Sequence, residues 1–197
     1  MRFPSICVLQ LSMEFLTGYI IEYAMSIDNI FVILLIFSSF GVQQKYYHRV
    51  LFWGILGAII MRFLFIFAIS ELIHQFEWIL VVFGIVLIYT AIKMFINRNK
   101  DEKVDPQNHK VVKFVSKHFA VTPDFREQKF FIKENGKKYI TPLFLVLLVI
   151  EFSDVIFAVD SVPAIFSVTK DQYIVFFSNI FAIIGLRSLF FLLSSIV

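Results

Sequence analysis

Apolar residues fill five stretches of the chain, near Phe15–Phe40, Val50–Ile69, Trp78–Ile96, Pro142–Val168 and Ile174–Val197. Each approaches or exceeds the roughly 20 residues that carry an α-helix across a bilayer. An isolated strand cannot satisfy its backbone in lipid, so the pattern predicts an all-α, polytopic transmembrane bundle of about five helices. One long polar interval interrupts them. The sequence therefore divides into a first membrane unit of three helices over 1–97, a loop over 98–141, and a second unit over 142–197.

The loop has patterns of its own. "HKVVKFVSKHF" sets Val111, Val112, Val115 and Phe119 at helical spacing beside lysines, which predicts a short amphipathic helix at the membrane surface. "KFFIKENGKKYIT" places Asn135-Gly136 between two β-prone runs, the favoured signal for a tight hairpin.

Composition sharpens the class. Of the 197 residues, 59% are hydrophobic, against roughly 45–50% in a soluble domain, and 26 are Phe. The net charge of +3 conceals an asymmetry, because residues 98–138 hold eleven Lys or Arg. By the positive-inside rule this loop is cytoplasmic, and alternation then puts Lys45 and Arg49 inside, and Glu71, Glu77, Lys170, Asp171 and the N-terminus outside. Membrane topology accounts for those charges, and nucleic acid is not expected as a partner. The opening "MRFPSICVLQL" lacks a convincing cleavage site and is read as part of the first helix. The single Cys7 excludes an intramolecular disulfide and a cysteine-based metal site.

Polar residues inside the spans reveal a repeat. "EYAMSIDNIFV" in the first helix and "DVIFAVDSVPA" in the fourth each show an acid, five mostly apolar residues, an Asp and a small hydrogen-bonding residue. Glu22 thus aligns with Asp154, Asp28 with Asp160, and Asn29 with Ser161. In the following helices, Arg62 in "AIIMRFLFIF" matches Arg187 in "AIIGLRSLFFLL". Because three helices separate the two copies, they cross the bilayer in opposite directions, an inverted-topology repeat. The second unit lacks a third helix within this sequence, which suggests a truncated chain.

Burying an acid at the bilayer centre costs roughly 2.5–3.5 kcal/mol on insertion scales. Glu22, Asp28, Glu151, Asp154 and Asp160 must therefore be compensated. Arg62 and Arg187 can neutralise two of the five, as fixed structural partners or as mobile counter-charges; protonation or a bound cation would serve the rest. Carboxylate, amide and hydroxyl oxygens from Glu22, Asp28, Asn29, Glu151, Asp154, Asp160 and Ser161 are hard donors, suited to Mn²⁺, Mg²⁺ or Ca²⁺. Met25 and Met61 stand nearby and are read mainly as packing. On a regular helix Asp28 and Asp160 point about 120° away from the aligned acids, so convergence on one site requires a distortion. Pro163 predicts a break near Val159–Pro163.

"EYAMSIDNIFV", "TPLFLVLLVIEFSDVIFAVDSVPAIF" and "SNIFAIIGLRSLFFLL", together with the loop segment "FAVTPDF", resemble the TerC family of integral membrane proteins. The resemblance covers nearly the whole chain. It implies a transporter-like helical fold, often with one or two further helices, and the functions attached to the family: manganese efflux, a link to tellurite resistance, and thylakoid membrane biogenesis. It places the motif acids on Glu22, Asp28, Asn29, Glu151, Asp154 and Asp160.

The expected function is therefore export of Mn²⁺ or a similar divalent cation across a bacterial inner membrane, with proton exchange as a driving force. The cation is a substrate, and no permanently bound cofactor is expected. The alternative is a membrane scaffold or assembly factor, with homo-oligomer or membrane-protein partners. Intramembrane aspartyl hydrolysis by Asp28 and Asp160 is set aside because a Gly-x-Gly-Asp context is absent, and the chain is read as a non-enzyme.

Overall fold

In a computed structural model the described residues are 3–76, 78–97, 110–126, 128–134 and 136–194. Helix α1 (Phe3–Ser39) is followed by α2 (Gln44–Gln75), α3 (Ile79–Asn97), a short α4 (Lys110–His118), strands β1 (Phe131–Glu134) and β2 (Lys137–Ile140), then α5 (Pro142–Phe166) and α6 (Gln172–Ser194). Among the described residues, four helices contain stretches long and apolar enough to cross a membrane: Cys7–Ser39, Gln44–Gln75, Pro142–Phe166 and Gln172–Phe190. The predicted third span, Trp78–Ile96, coincides with the 19-residue α3, Ile79–Asn97. The first begins earlier than its predicted start near Phe15, because the opening residues continue the helix.

Local chemistry sets the helix ends. Gly41, at φ +63°, stops α1. The Val42 N–H donates to the Phe37 carbonyl at 2.9 Å and the Gly41 N–H to that of Ser38 at 3.1 Å. This is a Schellman closure, in which glycine accepts the left-handed backbone and Val42 folds back onto Phe37. Asp171 caps α6, its carboxylate accepting from the Tyr173 and Ile174 N–H groups at 2.8 and 3.3 Å. Pro142 opens α5 without losing a needed donor.

The predicted break at Val159–Pro163 does not occur: α5 runs continuously through Pro163 to Phe166. The proline removes one bond, the one residue 163 would have made to the Val159 carbonyl, while buried Ala158, Val162 and Ile165 hold the helix on either side and the Pro163 carbonyl still accepts from the Ser167 N–H at 3.1 Å.

Helices α1 and α5 run antiparallel, as do α2 and α6, in keeping with an inverted repeat. Packing crosses the units, because α1 rests most extensively on α6, and α2 on α5. The close contacts obey the alignment as well. A side chain at Gly18 would meet Ser178 Oγ at 2.9 Å, and one at Gly54 would meet Ile150 Cγ2 at 3.8 Å. Aligning Glu22 with Asp154 pairs Gly18 with Ile150, and aligning Ala58 with Ala182 pairs Gly54 with Ser178. In the register of the Ala-Ile-Ile runs, one residue off that of Arg62 and Arg187, the two contacts are exchanged copies of one another.

The loop folds as a cap at one end of the bundle. β1 and β2 pair antiparallel with Glu134 opposite Lys137, leaving a two-residue turn in which Gly136 takes φ +78°. Thr141 Oγ1 donates to the Lys129 and Phe130 carbonyls at 2.7 and 3.2 Å and fastens the hairpin region to α5. The amphipathic helix forms as predicted over 110–118, but its valines face protein: Val115 is buried with Ile140 and Leu145, and Val111 and Val112 pack on that cluster. Three valines cover only a narrow stripe, and the cap and α5 occupy it.

Lys45 and Arg49 lie at the cap end; Arg49 stands over the Phe130 ring at 5.1 Å. At the other end, Thr169 donates to Glu14 at 2.7 Å, joining the start of α1 to the α5–α6 turn. Glu77, Asn135 and 98–109 lie outside the described residues.

Candidate functional site

Midway along the bundle, α1, α2, α5 and α6 each contribute polar residues to one buried cluster. Arg62 of α2 is 1% exposed and stands at its centre. Its Nη2 donates to Asp154 Oδ1 at 3.1 Å and its Nε to Oδ2 at 3.3 Å, a two-pronged pairing that matches the planar guanidinium to a carboxylate. Its Nη1 donates to Glu22 Oε1 and to Asn179 Oδ1. Asn179 is turned for this by its own amide, which donates to the Val175 carbonyl at 3.0 Å. Ser26 Oγ, one turn along α1, donates to Glu22 Oε1 at 2.9 Å.

The two acids matched by the repeat therefore hold a single guanidinium between them. Glu22 is 0% exposed and Asp154 20% at the side chain. A charge buried this deeply requires both pairing and hydrogen bonds, and Arg62 has them. The second oxygen of Glu22, Oε2, is buried without a hydrogen-bond partner.

A cavity of about 80 Å³ opens beside this cluster, its polar wall formed by Ser26, Asn29, Arg62, Glu151, Ser153 and Asp154. Roughly 10–15 Å³ of such space holds one water, so the cavity accommodates several water-sized species. Glu151 lies one turn before Asp154 and presses against Gly57 of α2, where any side chain would overlap its carboxylate. Two carboxylates thus hold one positive charge, and a third, Glu151, lines the cavity beside them.

The remaining predicted positions fall elsewhere. Asp28 is exposed on the outer face of α1. Asp160 faces α3, with Thr90 Oγ1 3.5 Å from its Oδ1; that hydroxyl donates at 2.5 Å to the Val86 carbonyl of its own helix. Ser161 is buried with an unpartnered hydroxyl and does not line the cavity. Since α1 and α5 stay regular, the 120° displacement keeps Asp28 and Asp160 away from Glu22 and Asp154. The side chain of Arg187 lies outside the described residues, although α6 is helical there. Met25 and Met61 are exposed. Among the described residues, no three of His, Cys, Asp or Glu are gathered closely enough to hold a metal ion by themselves.

Asn179 and Gly57 joined the site unannounced by the sequence reading. The available signal for Asn179 was the Ser178-Asn179 pair within an otherwise apolar span; Gly57 offered none.

Four long apolar helices, crossed repeat units and a charged cluster at their centre define a multi-pass integral membrane protein. The chain belongs to the integral membrane protein TerC family, whose model matches residues 9–197. An uncharacterized membrane protein of Rickettsia bellii is 50% identical over 184 residues, covering 93% of this chain and 60% of that protein. An uncharacterized membrane protein of Myxococcus xanthus is 48% identical over 185 residues, 94% of this chain and 57% of its own length. Alx of Escherichia coli K12, named as a candidate membrane-bound redox modulator, is 46% identical over 185 residues, 94% of this chain and 57% of its own. The chain thus spans less than two thirds of these relatives. No solved structure matches it.

Proposed function

We propose that this chain forms the ion-handling core of a transporter that exports Mn²⁺ or a similar hard divalent cation across the bacterial inner membrane, with the basic loop cytoplasmic. The observation that carries the proposal is the joint hold of Glu22 and Asp154 on Arg62, beside a cavity that also takes in Asn29 and Glu151. A position shared by two inverted units is where alternating-access transporters keep their site. The oxygens there are carboxylate, amide and hydroxyl, which favour hard cations.

Arg62 acts as the resident counter-charge of the empty site. Arginine stays protonated, so a cation takes its place only if the guanidinium swings away from one or both acids. Glu151 has no guanidinium partner among the described contacts, and we assign it the exchange of a proton against the cation. The protein is a carrier rather than an enzyme in this reading, and holds no permanent cofactor.

The test is the manganese content and Mn²⁺ tolerance of cells lacking their own exporter. Cells expressing the full-length protein should hold less manganese and tolerate more, and Asp154→Asn should abolish both effects. Equal manganese with parent, variant and empty vector would end the transport reading.

The closed network of Arg62 with Glu22, Asp154 and Asn179 favours a second reading, a scaffold whose ion cluster only locks four helices together. That reading predicts full function when the cluster is replaced as a whole by neutral residues of similar size.

A further inference from the structure

The cavity extends from Arg62 toward the cap, where Ile30, Ile33, Leu51 and Phe190 line it. The repeat supplies a comparison for the other side of Arg62. With Glu22 aligned to Asp154, and Ala58 to Ala182 in the Ala-Ile-Ile register, the counterparts of those four residues are Val162, Ile165, Val175 and Ile66. All four are 0% exposed and belong to one apolar cluster, on the side of the Glu14–Thr169 link. The exchanged glycine contacts differ in the same sense. A side chain at Gly54 would clear Ile150 by 3.8 Å, whereas one at Gly18 would come within 2.9 Å of Ser178 Oγ and 3.1 Å of Ile165 Cγ2. One arrangement is thus open on the cap side and shut on the opposite side.

Two polar atoms are trapped in the shut copy. Asn29 and Asp154 line the cavity, and their counterparts are Ser161 and Glu22. From the contact of Gly18 with Ile165, Glu22 stands one turn along α1 and Ser161 one turn back along α5, so both share one level on facing helices. Glu22 Oε2 and Ser161 Oγ are each buried without a hydrogen-bond partner among the described residues. Buried polar groups are normally paired, and these two would find partners if the shut side opened as the cap side does. We propose that the two units exchange conformations and open a second vestibule on the face opposite the cap, in which Glu22 Oε2 and Ser161 Oγ receive the departing cation. Gly18 and Ser178 form the gate that parts. The inference rests on the transport reading for its cargo, a hard divalent cation.

Thiol accessibility tests it, in membrane vesicles of both orientations carrying the full-length protein with its cysteines replaced by Ser. A membrane-impermeant maleimide added at the face opposite the cap should modify Ser161→Cys several-fold faster than the same reagent at the cap face. Ser153→Cys, on the cavity wall, should show the reverse. The ideal Cβ position at Gly18 lies 3.3 Å from Ser178 Cβ, near the roughly 3.5–4.5 Å of a disulfide. Oxidation of the Gly18→Cys, Ser178→Cys pair should therefore stop Mn²⁺ export, and a reductant should restore it, with neither single variant responding. If the parent exports Mn²⁺ while Ser161→Cys labels only from the cap face or not at all, or if export continues through the oxidised pair, the proposal is overturned and transport stands. If the parent exports no Mn²⁺, the transport reading falls; labelling of Ser161→Cys from the opposite face would then still support the vestibule, and its absence would overturn both.

Discussion

Replacing Arg62 by Met removes the positive charge from a buried cluster in which it holds the acids Glu22 and Asp154. Met fills much the same volume, so the loss is electrostatic rather than a cavity. Glu22, 0% exposed, keeps only the Ser26 hydroxyl, and Asp154 loses both prongs of its pairing at 3.1 and 3.3 Å. Removing one partner of a buried pair costs about 3–5 kcal/mol, because the other charge is stranded. With about 2–4 °C of melting temperature per kcal/mol in a protein of this size, Arg62→Met should lower the apparent Tm by about 6–20 °C. The triple variant Glu22→Gln, Arg62→Met, Asp154→Asn strands no charge and should recover most of that loss, since replacing a whole buried cluster is often neutral. The assay is thermal unfolding of the detergent-solubilised full-length protein followed by size-exclusion fluorescence. An Arg62→Met protein that melts within about 2 °C of the parent, or a triple variant no better than the single one, would refute the electrostatic account.

Two further outcomes follow from the packing. Gly57→Ala should drive the Glu151 carboxylate from its place on α2, an overpacking that costs about 1–3 kcal/mol and about 2–12 °C in Tm; the double variant with Glu151→Ala should melt near the parent if that contact is the cause. Gly136→Val forces a branched residue into φ +78°; at a cost of about 1–2 kcal/mol it should speed limited proteolysis of the hairpin while leaving the melting of the helical bundle unchanged.

Much of the fold was legible because the bilayer restricts the choices. Long apolar runs must be helices, and the repeat showed itself through acids and arginines too costly to sit there by accident. The alignment of Glu22 with Asp154 came from residue type and order, and the structure joins those two through Arg62. Helical geometry also placed Asp28 and Asp160 off to the side unless the helices break, and both stay continuous. The expected break failed because the proline removes only the one bond to the Val159 carbonyl, while the buried Ala158, Val162 and Ile165 hold α5 in place around it. The surface that covers the valines of α4 was not legible, since apolar side chains at helical spacing serve lipid and protein equally. Asn179 escaped because the Ser178-Asn179 pair has no counterpart in sequence to mark its role, which comes only from α6 lying alongside α2 and its Arg62.

The crossed packing of the two units has a consequence for how the protein is made. Helix α1 finds its most extensive partner in α6, which begins at Gln172, more than 130 residues after α1 ends at Ser39. At roughly 5–20 residues per second of synthesis, α1 waits on the order of 10–30 seconds before that partner is complete. Throughout this interval Glu22 can meet Arg62 as soon as α2 is inserted, whereas Asp154 and Asn179 arrive only later. The Glu22–Arg62 pair is thus the one polar link of the site available to α1 and α2, which pack little on each other, before their main partners arrive. The later helices then add to a charge that is already held.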